Sequence, residues 1–141
     1  MDLNRKTAFD VLMNVERDGA YSNLSLNNFI EKNNPDSPSF VRELVYGVLK
    51  NKFLLDWFIQ QLVPSGLKKV KKQDLMLLRM GVYQISYMES VPEYAAVSET
   101  VEMAKKLARG RERFINGVLR GFIRNRQQLV LPDKEKGALE Y

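Results

Sequence analysis

The stretch LMLLRMGVYQISYM, residues 75–88, predicts a central helix around which the rest of the chain packs. Apolar side chains recur in it at the three- and four-residue spacing of an α-helix, at Leu75, Leu78, Val82, Ile85 and Met88. Further apolar residues fill the positions between them from 77 to 87, so this helix should be buried on most sides. Pro92 then interrupts the pattern.

Three more helices are predicted before residue 50, each with its own end signals. Asp2 is a suitable N-cap for the first helix and Gly19 a suitable stop. Ser22 is the expected cap of the second helix. Ser37 followed by Pro38 predicts the start of the third, because a proline at the first helical position loses no hydrogen bond.

The remaining apolar segments complete the predicted fold. Residues 53–62 form one helix, with Trp57 expected in the core, and two more follow around 94–107, where Tyr94 begins the apolar stripe, and 114–123. Gly117 and Gly121 in the last of these suggest close approach to another helix. Because strand alternation is missing and connections are short, the sequence predicts an all-α antiparallel bundle of about seven helices.

The composition narrows the chemistry that this chain can perform. Its 141 residues fit one domain, and they include no cysteine and no histidine. The commonest general base, thiolate nucleophiles and the usual zinc ligands are therefore excluded, and we predict no catalytic residue and no metal site. Glu102 is better placed for an ion pair with Lys105 or Lys106 than for acid-base work. Without a signal peptide or membrane span, a cytoplasmic protein is expected.

Positive charge is concentrated in one part of the chain. Residues 68–126 carry 13 basic and 6 acidic side chains, whereas the residues before and after this block are slightly acidic. Such asymmetry indicates a polyanionic partner, either nucleic acid or an anionic membrane surface. A solvated basic surface that only keeps the protein in solution is the alternative.

The strongest basic cluster consists mainly of arginines, whose planar groups can grip phosphates and stack on unpaired bases. Its members are Lys105, Lys106, Arg109, Arg111, Arg113, Arg120, Arg124 and Arg126. Arg113, Arg120 and Arg124 recur at +7 and +4, which places them on one helix face opposite apolar residues. This pattern predicts an RNA-contacting stripe, with a plain solvent-exposed face as the alternative.

Two smaller basic groups lie elsewhere. Lys68, Lys69, Lys71 and Lys72 surround a turn before the central helix, where they could contact phosphates or simply be solvated. Arg5 and Lys6 form a weaker pair on the first helix. The predicted RNA-binding residues are Arg5, Lys6, Lys105, Lys106, Arg109, Arg111, Arg113, Arg120 and Arg124.

Two C-terminal segments stand out, PEYAAVSETVEMAKK at residues 92–106 and FINGVLR at residues 114–120. Together they resemble the signature of the NusB family. Supporting matches are ELVYGVL at 43–49, LDWFI at 55–59 and LRMGVYQI at 78–85. The resemblance extends to about Leu129 and implies a NusB-like helical bundle that binds RNA.

The family has two branches. One consists of free-standing transcription antitermination factors, and the other is the N-terminal RNA-binding domain of the RsmB (Sun or Fmu) methyltransferases, which make 5-methylcytosine in small-subunit ribosomal RNA. Residues 55–57, residues 95–102 and the position of Arg120 after Leu119 are more similar to the second branch. The first helix also lacks the dense arginines that are typical of the free factors.

The resemblance therefore implies that residues 1–129 are a NusB-like RNA-binding domain and that residues 130–141 begin a linker. A C-terminal methyltransferase domain would follow, binding S-adenosylmethionine and supplying the cysteine that this chain lacks. The implied partners are ribosomal RNA and that domain, with no membrane. A free-standing antitermination factor and a helical protein-interaction module are the alternatives.

Overall fold

A computed structural model describes residues 1–132 of the chain. These residues contain no β-strand, and a short 3-10 turn at Leu67–Lys69 separates the fourth helix from the fifth. The seven helices are α1 Leu3–Asp18, α2 Ser22–Asn33, α3 Pro38–Lys50, α4 Lys52–Leu62, α5 Lys72–Tyr87, α6 Glu93–Leu107 and α7 Glu112–Asn125. The predicted all-α bundle of about seven helices is confirmed.

Most of the predicted helix ends are also confirmed. The Asp2 carboxylate accepts hydrogen bonds from two backbone N–H groups of the first turn of α1, the nearer at 2.8 Å. Gly19 ends α1 with a φ of 70°, and the Ser37 hydroxyl caps α3 from 3.3 Å. The prediction for Ser22 is wrong, because Ser22 is already the first helical residue and Tyr21 occupies the N-cap position without a side-chain bond.

Helix α5 is the central element, packed against α1, α3, α4, α6 and α7. Its residues 76–85 are all buried, as the apolar stretch predicted. Two glycines allow its close contacts. A Cβ atom at Gly81 would lie 2.7 Å from the Leu119 side chain of α7, and one at Gly47 of α3 would overlap the Tyr83 ring. The bundle therefore closes most tightly along α5.

The predicted role of Gly117 and Gly121 in a tight crossing is wrong. A Cβ atom at Gly117 would meet nothing within 4 Å, and one at Gly121 would make only an ordinary contact of 3.8 Å with Leu62. The reason is that α7 presents Leu119, not these glycines, to α5. Gly117 lies on the exposed face of α7.

A polar cluster ties α1, α4 and α5 together. The Arg79 side chain is only 5% exposed, and its Nε and Nη2 atoms donate to both carboxylate oxygens of Asp56 at 2.7 and 2.9 Å. Glu16 lies 3.6 Å from Arg79 and accepts from Lys52 at 3.0 Å. Burial alone would raise the pKa of Glu16, but the hydrogen bond from Lys52 and the charge of Arg79 lower it below its usual value.

Trp57 is half-buried on α4, so its predicted core position is wrong. Its Nε1 atom donates to the backbone oxygen of Val130 at 2.7 Å, because this side of α4 faces the chain after α7 and not the core. Gln61 also binds both backbone groups of Val130, each at 2.9 Å. Val130, the first residue of the predicted linker 130–141, is thus held against α4 by these hydrogen bonds. Residues 133–141 of that linker lie outside the described part.

Candidate nucleic-acid interface

Helix α7 separates apolar and basic side chains onto opposite faces. Its buried side consists of Ile115, Val118, Leu119, Gly121 and Phe122. Arg113, Arg120 and Arg124 are exposed on the other side, as their spacing predicted, and we call these three residues the arginine ridge. The ridge extends over roughly 16 Å, because Arg124 follows Arg113 by eleven positions and each position adds about 1.5 Å along the helix axis.

The guanidinium groups of the arginine ridge have no partner in the described part of the chain. No hydrogen bond and no ion pair within residues 1–132 involves any of the three side chains. Exposed arginines that form no ion pair or hydrogen bond within the fold keep all five of their N–H donors for an external anion. The ridge is therefore a row of cationic groups that phosphates can approach directly.

Grooves run along both sides of the ridge. The larger one, about 680 Å³, lies between α6 and α7 and includes Arg120 and Arg124 in its lining. The smaller one, about 460 Å³, lies between α4 and α7 and includes Arg113 and Arg124. A nucleic-acid strand that lies on the ridge would thus have a concave protein surface on either side.

The end of α6 adds further basic residues beside the start of α7. Lys105, Lys106 and Arg109 are all exposed. Lys105 forms the predicted ion pair with Glu102, at 3.1 Å, which leaves Lys106 and Arg109 without partners among the described residues. Lys105 and Lys106 lie in the last turn of α6, where positive charge interacts favourably with the helix dipole. Helix stability alone is therefore a second explanation for their position.

Arg5 was predicted to bind RNA, but the fold buries its side chain and pairs it. Its side chain is buried, donates from Nε to Gln84 at 2.7 Å, pairs with Asp2 and lies over the Phe40 ring. An RNA phosphate could not reach this guanidinium without breaking those contacts. Lys6, its neighbour, is paired with Asp10 and lies on α1, which is not among the helices packed closely against α7.

Arg111 is also held by the fold. Its Nε atom lies 3.1 Å from a carboxylate oxygen of Asp74, which is 1% exposed, and its guanidinium lies 4.4 Å from the centre of the Phe114 ring. The other Asp74 oxygen has no hydrogen-bond partner in the described region, so Arg111 is the main compensation for a buried charge. We therefore omit Arg111 from the interface.

Tyr94 was predicted to mark the helix around 94–107, and it does lie in the first turn of α6. Its side chain is 77% exposed and stands in the lining of the α6–α7 groove. Asn116, which is not among the predicted RNA-binding residues, lines the same groove from α7. Neither side chain carries a charge, so only the structure brings them beside the ridge.

Other kinds of site find no support in the described residues. Within residues 1–132, His, Cys, Asp and Glu side chains form no group of three or more that could hold a metal ion. The same residues contain no helix that is long and apolar enough to cross a membrane. Lys68, Lys69, Lys71 and Lys72 are exposed around the start of α5.

Fold and surface together define a small all-helical domain with one cationic helix face. The sequence model of the NusB family matches residues 2–124, and the chain belongs to this family.

Relatives come from both branches of that family. The chain is 39% identical over 123 residues to the probable ribosomal RNA small subunit methyltransferase B of Bacillus subtilis (strain 168), a match that covers 85% of this chain and 27% of the relative. It is 44% identical over 85 residues to the transcription antitermination protein NusB of Levilactobacillus brevis, covering 58% of this chain and 60% of the relative. The chain thus spans about a quarter of the methyltransferase.

A solved structure supports the fold. A chain in the crystal structure of antitermination factors NusB and NusE in complex with dsRNA superimposes with a TM-score of 0.76. The sequence identity is 22%, and the match covers 85% of this chain and 92% of the other.

Proposed function

We propose that this chain is an RNA-binding domain whose arginine ridge holds the phosphate backbone. The observation that carries the proposal is the row of three exposed arginines on α7 without partners among the described residues. The excess of basic residues in 68–126 points the same way, since it favours association with a polyanion. The solved complex of NusB and NusE with dsRNA adds support, because the fold is shared.

The particular task that we propose is to dock small-subunit ribosomal RNA for a cytosine-5 methyltransferase domain of the same cytoplasmic protein. The similarity to the Bacillus subtilis methyltransferase supports it. With no cysteine or histidine in 141 residues, this chain contributes binding and not chemistry. S-adenosylmethionine would belong to the other domain, and we assign no cofactor site here because the sequence lacks a glycine-rich binding loop.

A free-standing antitermination factor is the second candidate. The 44% identity to the Levilactobacillus brevis NusB protein favours it, although over a shorter segment than the methyltransferase match. This candidate predicts binding to a NusE protein, which the docking domain of a methyltransferase would not need. Sedimentation of the chain with purified NusE separates the two.

Replacing the whole arginine ridge with glutamine tests RNA binding itself. The affinity for a ribosomal RNA fragment should fall, and the slope of its logarithm against salt should decrease by about 0.7–0.9 for each phosphate that is no longer bound. Arg17, Arg42 and Lys50 changed to glutamine provide the control, because the net charge changes equally at exposed residues of α1 and α3, which are not among the helices packed closely against α7. Equal effects of both variants, or no effect of the first, would contradict the proposed interface.

Reading the gene beyond the codon for Tyr141 tests the particular task. A methyltransferase domain in the same frame supports the docking role, and a stop codon without one excludes it. In the longer protein, glutamines at the ridge should raise the KM for small-subunit ribosomal RNA and leave kcat nearly unchanged. This result is expected because removal of a docking interaction weakens binding in the ground state and the transition state equally.

A further inference from the structure

Tyr94 is a large aromatic side chain that the fold leaves in solvent. It is 77% exposed in the first turn of α6, and within residues 1–132 it makes no hydrogen bond and no contact with another ring. A single exposed tyrosine needs no explanation by itself. Tyr94, however, stands at the α6–α7 groove, whose opposite side carries two arginines of the ridge.

The groove combines an apolar floor with a cationic rim. Val97, Val101 and Ile123 form the floor, and Arg120 and Arg124 lie on the rim. Glu102 also lines the groove, but its carboxylate is paired with Lys105 at 3.1 Å. Its volume of about 680 Å³ is within the range of small-ligand sites, so an aromatic ring with its sugar can enter it. Apolar surface and unpaired cations therefore lie within one binding site.

The positive charges of Arg120 and Arg124 limit which ligand can bind in the α6–α7 groove. A second copy of this chain or an apolar helix would cover the floor but bury the partnerless Arg120 and Arg124, at a large desolvation cost. A nucleotide satisfies both parts of the site, because its base has apolar faces and its phosphate is an anion. Asn116, whose amide has no partner in the described region, can also donate to and accept from a base edge.

We propose that the α6–α7 groove holds an unpaired RNA base stacked on Tyr94, while Arg120 and Arg124 bind the neighbouring phosphates. The inference rests on the proposed RNA binding and adds that the ligand at this site is single-stranded. A base in a duplex is paired and stacked on its neighbours, so it cannot enter the groove. Stacking accepts any base, since all four have a π face.

Tyr94→Ala tests the stacking contact in the full 141-residue chain. The probes are a fluorescein-labelled single-stranded RNA of roughly 12 nucleotides and the same RNA annealed to its complement. The variant should bind the single strand roughly 5- to 150-fold more weakly, as expected when one base no longer stacks. Its salt slope should stay unchanged because no phosphate contact is removed. Duplex binding should not change.

Two further variants make this result specific. Tyr94→Phe keeps the ring and should restore single-strand binding. Tyr21→Ala is the matched control, because Tyr21 is also 77% exposed but lies at the start of α2, outside the groove. Circular dichroism verifies that all three variants are folded.

The outcomes separate this inference from the proposed function. If glutamines at the ridge lower the salt slope but Tyr94→Ala binds the single strand like the parent, RNA binding stands and the groove proposal is overturned. Equal losses for single strand and duplex, or a change in oligomeric state without a change in RNA affinity, also overturn it. If the ridge variants show no effect on RNA at all, the proposed function itself fails.

Discussion

A carboxylate placed within the arginine ridge should weaken RNA binding although every arginine is kept. Gly117 is exposed, and a Cβ atom there meets nothing within 4 Å, so Gly117→Glu fits without repacking. The new side chain would follow Arg113 by four residues and precede Arg120 by three, the spacings at which helix side chains form ion pairs. If it neutralises both arginines, the salt slope on single-stranded RNA decreases by about 1.4, or about 0.7 for each phosphate released.

Fluorescence anisotropy titrations over a series of salt concentrations measure this slope. Gly117→Gln is the matched control, because it has nearly the same shape and no charge. Each variant replaces a helical glycine and should be more stable than the parent by about 0.5 kcal/mol in urea unfolding. The reasoning is refuted if Gly117→Glu is folded and stable but keeps the parental slope, since the ridge would then not carry the phosphate contacts.

Three further changes test the packing and the ion pairs by urea unfolding. Gly81→Ala should destabilise the fold by about 1–3 kcal/mol because its methyl group would lie 2.7 Å from the buried Leu119; an unchanged midpoint would contradict this. Asp56→Asn should cost about 1–3 kcal/mol because it takes the charged partner from the buried Arg79, and a neutral result would show that the pair is dispensable. Glu16→Gln should be less stable than the parent at neutral pH but equal to it in acid. The pKa of Glu16 is lowered by folding, so its contribution is present above about pH 4.5 and is lost as the pH falls through the folded-state pKa; a constant difference at all pH values would contradict this.

The helices could be predicted from sequence because their signals are local. The cap formed by Asp2, the left-handed Gly19 and the Ser37-Pro38 start each depend on residues within one turn. The burial of α5 was also predictable, since apolar residues on all sides of a helix leave it no face for solvent. Local chemistry decides these features, and no distant residue can change them easily.

Packing depth could not be predicted in the same way, because it depends on which helix lies opposite. Gly81 and Gly117 have the same side chain and both lie within helices, yet one lies beneath Leu119 and the other in open solvent. Trp57 and Tyr94 are aromatic residues at helical spacing; Trp57 was predicted in the core, and nothing in the pattern around Tyr94 predicted its exposure. Their exposure depends on where α7 and the residues after it lie. The sequence patterns within α4 and α6 do not contain that information.

The same limit explains which basic residues remain candidates for RNA contact. Arg5 is engaged by Gln84, 79 residues away, Arg111 by Asp74, 37 residues away, and Arg126 by Glu93, 33 residues away. At the level of sequence, these three arginines look the same as those of the arginine ridge. The difference is that folding brings an acceptor to each of them and brings none of the described acceptors to the ridge. An arginine that the fold has already paired must break that contact before it binds a phosphate, whereas the ridge arginines have only water to displace, so the ridge should contribute most of the affinity.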